Sequence, residues 1–345
     1  EDYFDREIVT KENLVNYGII EPNDFVYNPR VSVTAPVGPI SRNKLSRGIM
    51  SPLYLIFGFN GGDINFFEHY FKGNSWHNYL RAKANYGARF DRINIGTKEF
   101  MDMPIPYPSL AEQKKIADCL SSLDKYIDAT KRKLELLKEH KKGLMQRLFP
   151  AKGKTTPELR FPEFQNDGEW QIVSLGEITS VVNRRNKSNR SLPIYSINNA
   201  EGFVPQSQQF AGMDSEARGY DISAYKIIGK HTFAYNPARI NVGSIGDSGE
   251  LKDILISSLY VCFKTMDNVD DDFLMCFFNS YIFNQAVESN VEGGIRSYLF
   301  YENFSRIKIA IPSLYEQKRI ASCITSIEDM IKQTNKQICL LETHK

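Results

Sequence analysis

Pro108-Ser109-Leu110-Ala111-Glu112-Gln113-Lys114-Lys115-Ile116-Ala117-Asp118-Cys119 returns 204 residues later as Pro312-Ser313-Leu314-Tyr315-Glu316-Gln317-Lys318-Arg319-Ile320-Ala321-Ser322-Cys323. Upstream, Phe25-Val26-Tyr27-Asn28-Pro29 returns as Phe233-Ala234-Tyr235-Asn236-Pro237 at an offset of 208, and Gly87-Ala88-Arg89 resembles Gly294-Ile295-Arg296. The chain reads as one module used twice. Each Pro-Ser opens a helix, because Ser109 with Glu112, and Ser313 with Glu316, form the S-x-x-E pattern whose side chains satisfy the free amides of a first turn.

Both helices carry an apolar seam in steps of four and three. In the first it runs Ile116, Leu120, Leu123, Ile127, Thr130, Leu134, Leu137, Lys141, Leu144, Leu148. In the second it runs Ile320, Ile324, Ile327, Ile331, Thr334, Ile338, Leu341, Lys345, with Thr and Lys at equivalent places. A heptad kept this long predicts a left-handed coiled coil. An amphipathic helix packed only on its own domain would widen its stripe and stop by about 20 residues. Ser109 to Leu148 at 1.5 Å per residue is roughly 60 Å, longer than a small domain is wide. Two such helices, each following a globular module, pair most simply with each other, and a pseudo-twofold axis makes that pairing antiparallel. Helix two ends at Lys345, roughly two turns before the point reached by helix one. Module two begins near Pro157, so module one is expected to lack about 50 residues at its start.

The expected architecture is α+β: two globular domains at 1–108 and 157–312, long helices at 109–149 and 313–345, and a polar linker at 150–156. Module two shows short strand-like runs at Pro193–Ile197, His231–Tyr235 and Leu255–Phe263, broken by Gly, Asn and Asp turns, and then a helix over Asp272–Ser289.

The 345 residues, 42% of them hydrophobic, suffice for two cores, and no run approaches the roughly 18 apolar residues of a membrane span. The acidic start Glu1-Asp2-Tyr3-Phe4-Asp5 is unlike a signal peptide, so a cytoplasmic location is expected. Five cysteines without C-x-x-C spacing suggest neither a disulfide framework nor a zinc knuckle. The five histidines (69, 77, 140, 231, 344) do not fall at ligand spacing with Cys or carboxylates, so no metal is expected. Gly153-Lys154-Thr155 looks like the end of a phosphate-binding loop, but Leu148 stands where its first Gly belongs. A DNA amino-methyltransferase would need an Asn-Pro-Pro-Tyr type loop and a glycine-rich cofactor turn. Tyr27-Asn28-Pro29-Arg30 and Tyr235-Asn236-Pro237-Ala238 only hint at the loop, and the turn is missing. Neither catalytic groups nor a bound cofactor are expected.

The net charge of +2 is uneven: zero over 1–108, +6 over 109–156, −5 over 157–312 and +1 over 313–345. A DNA reader built this way must gather its positive charge on one face. The richest loop is Asn183-Arg184-Arg185-Asn186-Lys187-Ser188-Asn189-Arg190, with four positive charges and no negative one. Arg184, Arg185, Lys187, Asn189 and Arg190 are candidate DNA contacts there, with a solvated surface loop as the alternative. Ser196, Asn198 and Asn199 follow a strand and suit base edges or turn formation equally. Tyr235, Asn236, Arg239 and Asn241 match Tyr27, Asn28 and Arg30, which points either to shared architecture or to shared phosphate contact. Arg296 and Tyr298 beside Gly293-Gly294, and Arg89 beside Gly87, fit a glycine-rich approach to a phosphate or a turn before a helix.

The twice-used Pro-Ser-Leu-x-Glu-Gln-Lys entry to a long helix, with Leu159-Arg160-Phe161-Pro162-Glu163-Phe164 opening the intervening module, resembles the type I restriction-modification specificity subunit over nearly the whole chain. The resemblance implies that each module is a target recognition domain for one half of a split double-stranded DNA sequence. It also implies that the helices are a fixed ruler and dock two methyltransferase subunits, with restriction/translocase subunits joining outside. The competing expectation is a non-catalytic coiled-coil scaffold whose two domains bind proteins, which the −5 charge of module two favours.

Overall fold

The computed structural model describes residues 16–86, 91–199, 201–210, 212–290 and 298–345. It divides into two compact units, one of residues 1–130 with 339–345 and one of 131–338, so the divisions fall inside the long helices rather than at the Pro-Ser turns.

Unit 1 opens with β1 (Gly18–Ile20), β2 (Phe25–Tyr27), β3 (Ile40–Arg42), β4 (Gly48–Met50) and β5 (Leu55–Phe57), followed by α1 (Ile64–Lys72) and α2 (His77–Lys83). It continues through β6 (Asn85–Tyr86), β7 (Ile93–Asn94) and α3 (Thr97–Met101) into α4 (Leu110–Leu148). Its centre is the antiparallel sheet β3-β2-β5, which buries Phe25 and Tyr27 against Phe66, Phe67 and Phe71 of α1. Tyr27 stacks on Phe100 at 4.9 Å, and Phe25 on its register partner Phe57 at 5.6 Å. Asp63 caps α1 by accepting from the amides of Asn65 and Phe66. The amide of Asp63 donates in turn to Oε1 of buried Gln113, whose Nε2 holds the Pro108 carbonyl.

Unit 2 contains β8 (Gln171–Ser174), α5 (Leu175–Ile178), β9 (Thr179–Val181), β10 (Ile194–Asn198), β11 (Gly202–Pro205), α6 (Gln206–Gln209), β12 (Lys226–Ile228), β13 (Phe233–Tyr235), β14 (Ile245–Asp247), β15 (Ile254–Ile256) and β16 (Val261–Thr265). Then come α7 (Asp271–Phe278), α8 (Tyr281–Asn290), α9 (Tyr301–Arg306), β17 (Lys308–Ile311) and α10 (Leu314–His344). The sheets are ordered β14-β13-β16-β9, β11-β10-β15-β12 and β17-β8. Its central packing follows that of unit 1. Tyr235 stacks on Phe304 at 5.0 Å and Phe233 on Phe263 at 5.1 Å. Asp270 caps α7, and its amide donates to buried Gln317, which also holds the Pro312 carbonyl.

Two expected elements divide. The 272–289 helix breaks at Asn279-Ser280, where the Asn279 amide bonds back to Met275 and the Ser280 hydroxyl accepts from the Phe283 amide to start α8. The 255–263 run splits into strands of different sheets because Ser257–Tyr260 closes a hydrogen-bonded turn. Ser109 and Ser313 accept from the amides of Glu112 and Glu316, but the second cap is only half made, because both Glu316 carboxylate oxygens take Arg160 instead.

Along α4, Ile127, Thr130, Leu134 and Leu148 are buried, and Ile116, Leu120, Leu123, Leu137 and Leu144 half-buried. Along α10, Ile320, Ile324, Ile327, Thr334 and Ile338 are buried, and Ile331 and Leu341 half-buried. Apolar residues off the seam, such as Leu136, Met330 and Leu340, are exposed. Within unit 2, Lys141 pairs with Glu328 at 2.6 Å, while Leu148 and Phe149 share a core with Ile320, Ala321 and Ile324. Moving forward along α4 there means moving backward along α10. Within unit 1, Lys345 pairs with Asp124.

Candidate nucleic-acid interface

The basic loop at 183–190 is anchored at its root. Buried Asn186 donates through Nδ2 to the carbonyls of Arg190 and Ile222, and its Oδ1 accepts from the Arg190 amide at 2.9 Å, which closes the loop on itself. The Asn186 amide bonds to Tyr225 and the Ile227 amide to Arg184, so the loop backbone lies beside β12 with Arg185 opposite Lys226. One asparagine with its hydrogen-bonding capacity directed inward lets the other side chains point out. Arg184, Arg185, Lys187, Asn189 and Arg190 are all exposed, and among the described residues only Arg190 of these approaches an acid, Asp253 at 3.8 Å. Asn189 takes a left-handed φ of 47°, which short polar side chains tolerate in a tight crown.

Tyr260 links this loop to a second cluster. Lys226 Nζ donates to the Tyr260 carbonyl at 2.6 Å, and the Tyr260 hydroxyl accepts from the Ile197 amide of β10. Burial raises the Tyr260 pKa, against the Ile197 hydrogen bond and the positive charge of Arg239. Arg239, Asn241 and Asn199 are exposed. Asn198 is half-buried and accepts from the Glu201 amide to form the turn after β10.

Three expected contacts are corrected by burial. Tyr27 and Tyr235 are 2% and 0% exposed, and a side chain sealed in an aromatic stack offers no face to a base or a phosphate. Ser196 is buried and donates to Gln209. Asn28 and Asn236 each accept from the amide two residues on, at 3.0 Å in both units. Their recurrence includes shared architecture, a side-chain turn that leads the chain out of β2 and out of β13. In both units the proline after this Asn accepts next, Pro29 from the Ile93 amide and Pro237 from the Leu299 amide. Arg30 is exposed and bridges to Arg92, a second cation that sequence spacing did not reveal. Tyr298 is half-buried and stacks on Phe300. Arg89 and Arg296, with their neighbouring glycines, lie outside the described residues.

Sequence reasoning also missed two charged groups. Arg160 makes a two-pronged bond to Glu316, 2.8 Å at each prong, with 9% and 1% of their side chains exposed. The fold also gathers His231, Asp247 and Asp271, although 40 residues separate the outer two. Burial, reinforced by the charge of Asp271, pushes the Asp247 carboxyl up to about 6.

The chain matches the family described as type I restriction modification DNA specificity domain over residues 60–139 and 167–342. The chain belongs to the type I restriction-modification DNA specificity family. Among curated members, it is 26% identical over 283 residues to a putative type I restriction enzyme MjaX specificity subunit of Methanocaldococcus jannaschii, covering 78% of this chain and 61% of that protein. It is 25% identical over 265 residues to the MjaVIII specificity subunit of the same organism, covering 71% and 60%. The chain thus spans about 60% of the length of these relatives, both of which are named specificity subunits. Among solved structures, the HsdS subunit from Thermoanaerobacter tengcongensis aligns with a TM-score of 0.54 at 16% identity, covering 94% of this chain and 79% of that one. The type I restriction-modification S subunit from M. genitalium aligns with a TM-score of 0.54 at 14% identity, covering 98% and 89%. These alignments show the specificity-subunit fold. No helix among the described residues is long and apolar enough to cross a membrane.

Proposed function

We propose that this chain reads a bipartite double-stranded DNA site without acting on it chemically, unit 2 reading one half and unit 1 the other. The observation that carries this is the 183–190 loop, where one buried asparagine fixes the root and four cations stand outside. Rigid placement of Arg and Lys at a loop crown suits phosphate and base-edge contact, because little side-chain and loop entropy is then lost on binding. In unit 1 the candidate cations are Arg30, on the turn after β2, and Arg92, which meets it across a bridge. The shared Asn-Pro turn, the paired Gln113 and Gln317, and the two aromatic stacks support one module used twice.

The buried seams and the Lys141–Glu328 pair support an antiparallel coiled coil of α4 and α10 that sets the unread spacer between half-sites. The exposed flanks of these helices would dock two methyltransferase subunits in a cytoplasmic complex, and restriction/translocase subunits would join through it. Methyl transfer and cleavage belong to those partners.

Salt-dependent binding to duplex DNA tests the reading. Affinity should fall steeply with salt, and Arg184→Ala with Arg185→Ala should flatten the log–log slope by up to about 0.9 for each phosphate no longer neutralised. A slope near zero would instead fit a scaffold that binds proteins, and an unchanged slope in the double variant would return the loop to ordinary solvated surface.

A further inference from the structure

The end of β14 holds a polar cluster outside the DNA contacts proposed above, and its counterpart in unit 1 shows what it lacks. Strand register places Arg42 opposite Phe25 in unit 1 and Asp247 opposite Phe233 in unit 2. Two residues before each central strand stand Asn23 and His231, both in the left-handed region, at φ 77° and 51°. The helix that follows is capped by Asp63 in one unit and Asp270 in the other. In unit 1 the corner is filled by a guanidinium: Arg42 donates to Asn23 Oδ1 at 3.0 Å, to Asn65 Oδ1 at 2.7 Å and to Glu68 at 3.2 Å. In unit 2 the same corner holds acceptors. Oδ1 of Asp247 is buried without a hydrogen-bond partner among the described residues, and Asp271 lies beside it.

Both ring nitrogens of His231 face carboxylates, an arrangement that suits either a doubly protonated ring or an ion shared with one of them. Its Nε2 lies 3.3 Å from Glu250 and its Nδ1 lies 3.3 Å from Oδ2 of Asp271, while the other oxygen of Asp271 accepts from Thr265 at 2.6 Å. A carboxylate on one imidazole nitrogen fixes the proton there and turns the lone pair of the other nitrogen toward an ion. One ligand atom each from His231, Asp247 and Asp271 lies within 4.8 Å of the other two. Ligands ~2.1 Å from one ion stand about 3.3 Å apart in a tetrahedron, so closure requires side-chain movement of about 1 Å. The triad opens on a cleft of about 590 Å³, which leaves room for water as further ligand.

We propose that His231, Asp247 and Asp271 bind a divalent transition-metal ion of the zinc or manganese class, supplying in unit 2 the positive charge that Arg42 supplies in unit 1. An imidazole with two carboxylates suits these ions, and a histidine ligand favours them over calcium or magnesium. The ion ties β14 to the start of α7 and to the turn before β13. The competing sources of charge are a protonated His231 and the lysines Lys264 and Lys318 that line the same cleft, and metal titration separates these from an ion.

Zn²⁺ is titrated calorimetrically into the full chain, and Mn²⁺, which thiols hold poorly, is followed in parallel by electron paramagnetic resonance. One saturable equivalent of each is expected, lost in His231→Ala and in Asp271→Asn. Because Glu250 is an exposed partner, Glu250→Gln should fold normally and bind 10–100-fold more weakly. Asp247→Arg, which copies the corner of unit 1, should fold and lose the Zn²⁺-induced rise in Tm that the unaltered chain shows. Absence of a saturable Mn²⁺ equivalent would overturn the proposal in favour of the imidazolium. So would uptake that His231→Ala, Asp271→Asn and Asp247→Arg leave unchanged, which would mean adventitious binding, for example at the free cysteines.

Discussion

The corner at the end of β3 in unit 1 and the corner at the end of β14 in unit 2 share a backbone plan and carry opposite charge. Unit 1 places Arg42 among amide oxygens and Glu68. Burial alone would raise the pKa of Glu68, but hydrogen bonds from Lys44 and Lys72, and their charges, hold it down at about 2. Unit 2 places Asp247 beside another carboxylate and a histidine. The glutamate that follows each Pro-Ser turn shows the same freedom. Glu316 is sealed against Arg160, whereas Glu112 is exposed. Packing fixes the aromatic and cap residues of the plan in both units, because each fills a shape the backbone imposes. The charged filling is fixed only by mutual neutralisation, so it differs between the units.

The largest effect that can break this comparison lies at Arg160. Arg160→Ala strands a carboxylate that is 1% exposed and removes the donors to the Asp167 and Gly168 carbonyls. Breaking a buried pair from one side costs about 3–5 kcal/mol. Glu112→Ala, at the position equivalent to Glu316, should change stability by less than about 0.5 kcal/mol. Denaturant unfolding can be read unit by unit, because the chain has two tryptophans, Trp76 in unit 1 and Trp170 in unit 2. A Trp76→Phe background reports unit 2, and a Trp170→Phe background reports unit 1. Equal losses at Glu112 and Arg160 would mean that the two caps are energetically alike despite their surroundings.

A middle-sized effect is expected at Arg42. Arg42→Ala leaves Asn23 and Asn65 without their guanidinium donor and should cost unit 1 about 2–3 kcal/mol, read from Trp76 fluorescence. The contrast with Asp247 sharpens if Asp247→Ala, measured in chelator, costs unit 2 less than Arg42→Ala costs unit 1. A larger loss at Asp247 would mean that the unit 2 corner is already satisfied without an added ion.

The two long helices and the family were legible because each rests on local pattern: caps and heptads depend on spacing along one element. The recurrence of Tyr-Asn-Pro was visible too, but its meaning was not. Whether Tyr27 faces a phosphate or Phe100 depends on which sheet face is covered, and that is set by residues more than 70 positions away. Arg92 escaped notice for the same reason, since it meets Arg30 only across a bridge. The break of the expected 272–289 helix at Ser280 turned on one hydroxyl cap within an otherwise continuous apolar pattern. His231, Asp247 and Asp271 have no ligand spacing in sequence, because register and a helix start, not a motif, bring them together.

The smallest effect concerns the central tyrosines. Tyr27 and Tyr235 occupy matching strands and matching stacks, and both are almost fully buried. Only one hydroxyl is provided for in the same way: Tyr27 donates to the Val37 carbonyl at 2.9 Å, whereas the Tyr235 hydroxyl is buried without a hydrogen-bond partner among the described residues. Burial accordingly raises the Tyr235 pKa. Tyr27→Phe removes a satisfied hydrogen bond and leaves a carbonyl without its donor, a loss of about 1 kcal/mol. Tyr235→Phe removes a polar group that already bears its desolvation cost, so stability should stay level or rise by up to about 1 kcal/mol. Ring stacking is retained in both variants, so the hydroxyl alone is compared. Unfolding followed through Trp76 for the first and Trp170 for the second measures each in its own unit. If Tyr235→Phe cost as much as Tyr27→Phe, the Tyr235 hydroxyl would have to find a partner in the folded chain, and the two stacks would be equivalent in energy as well as in shape.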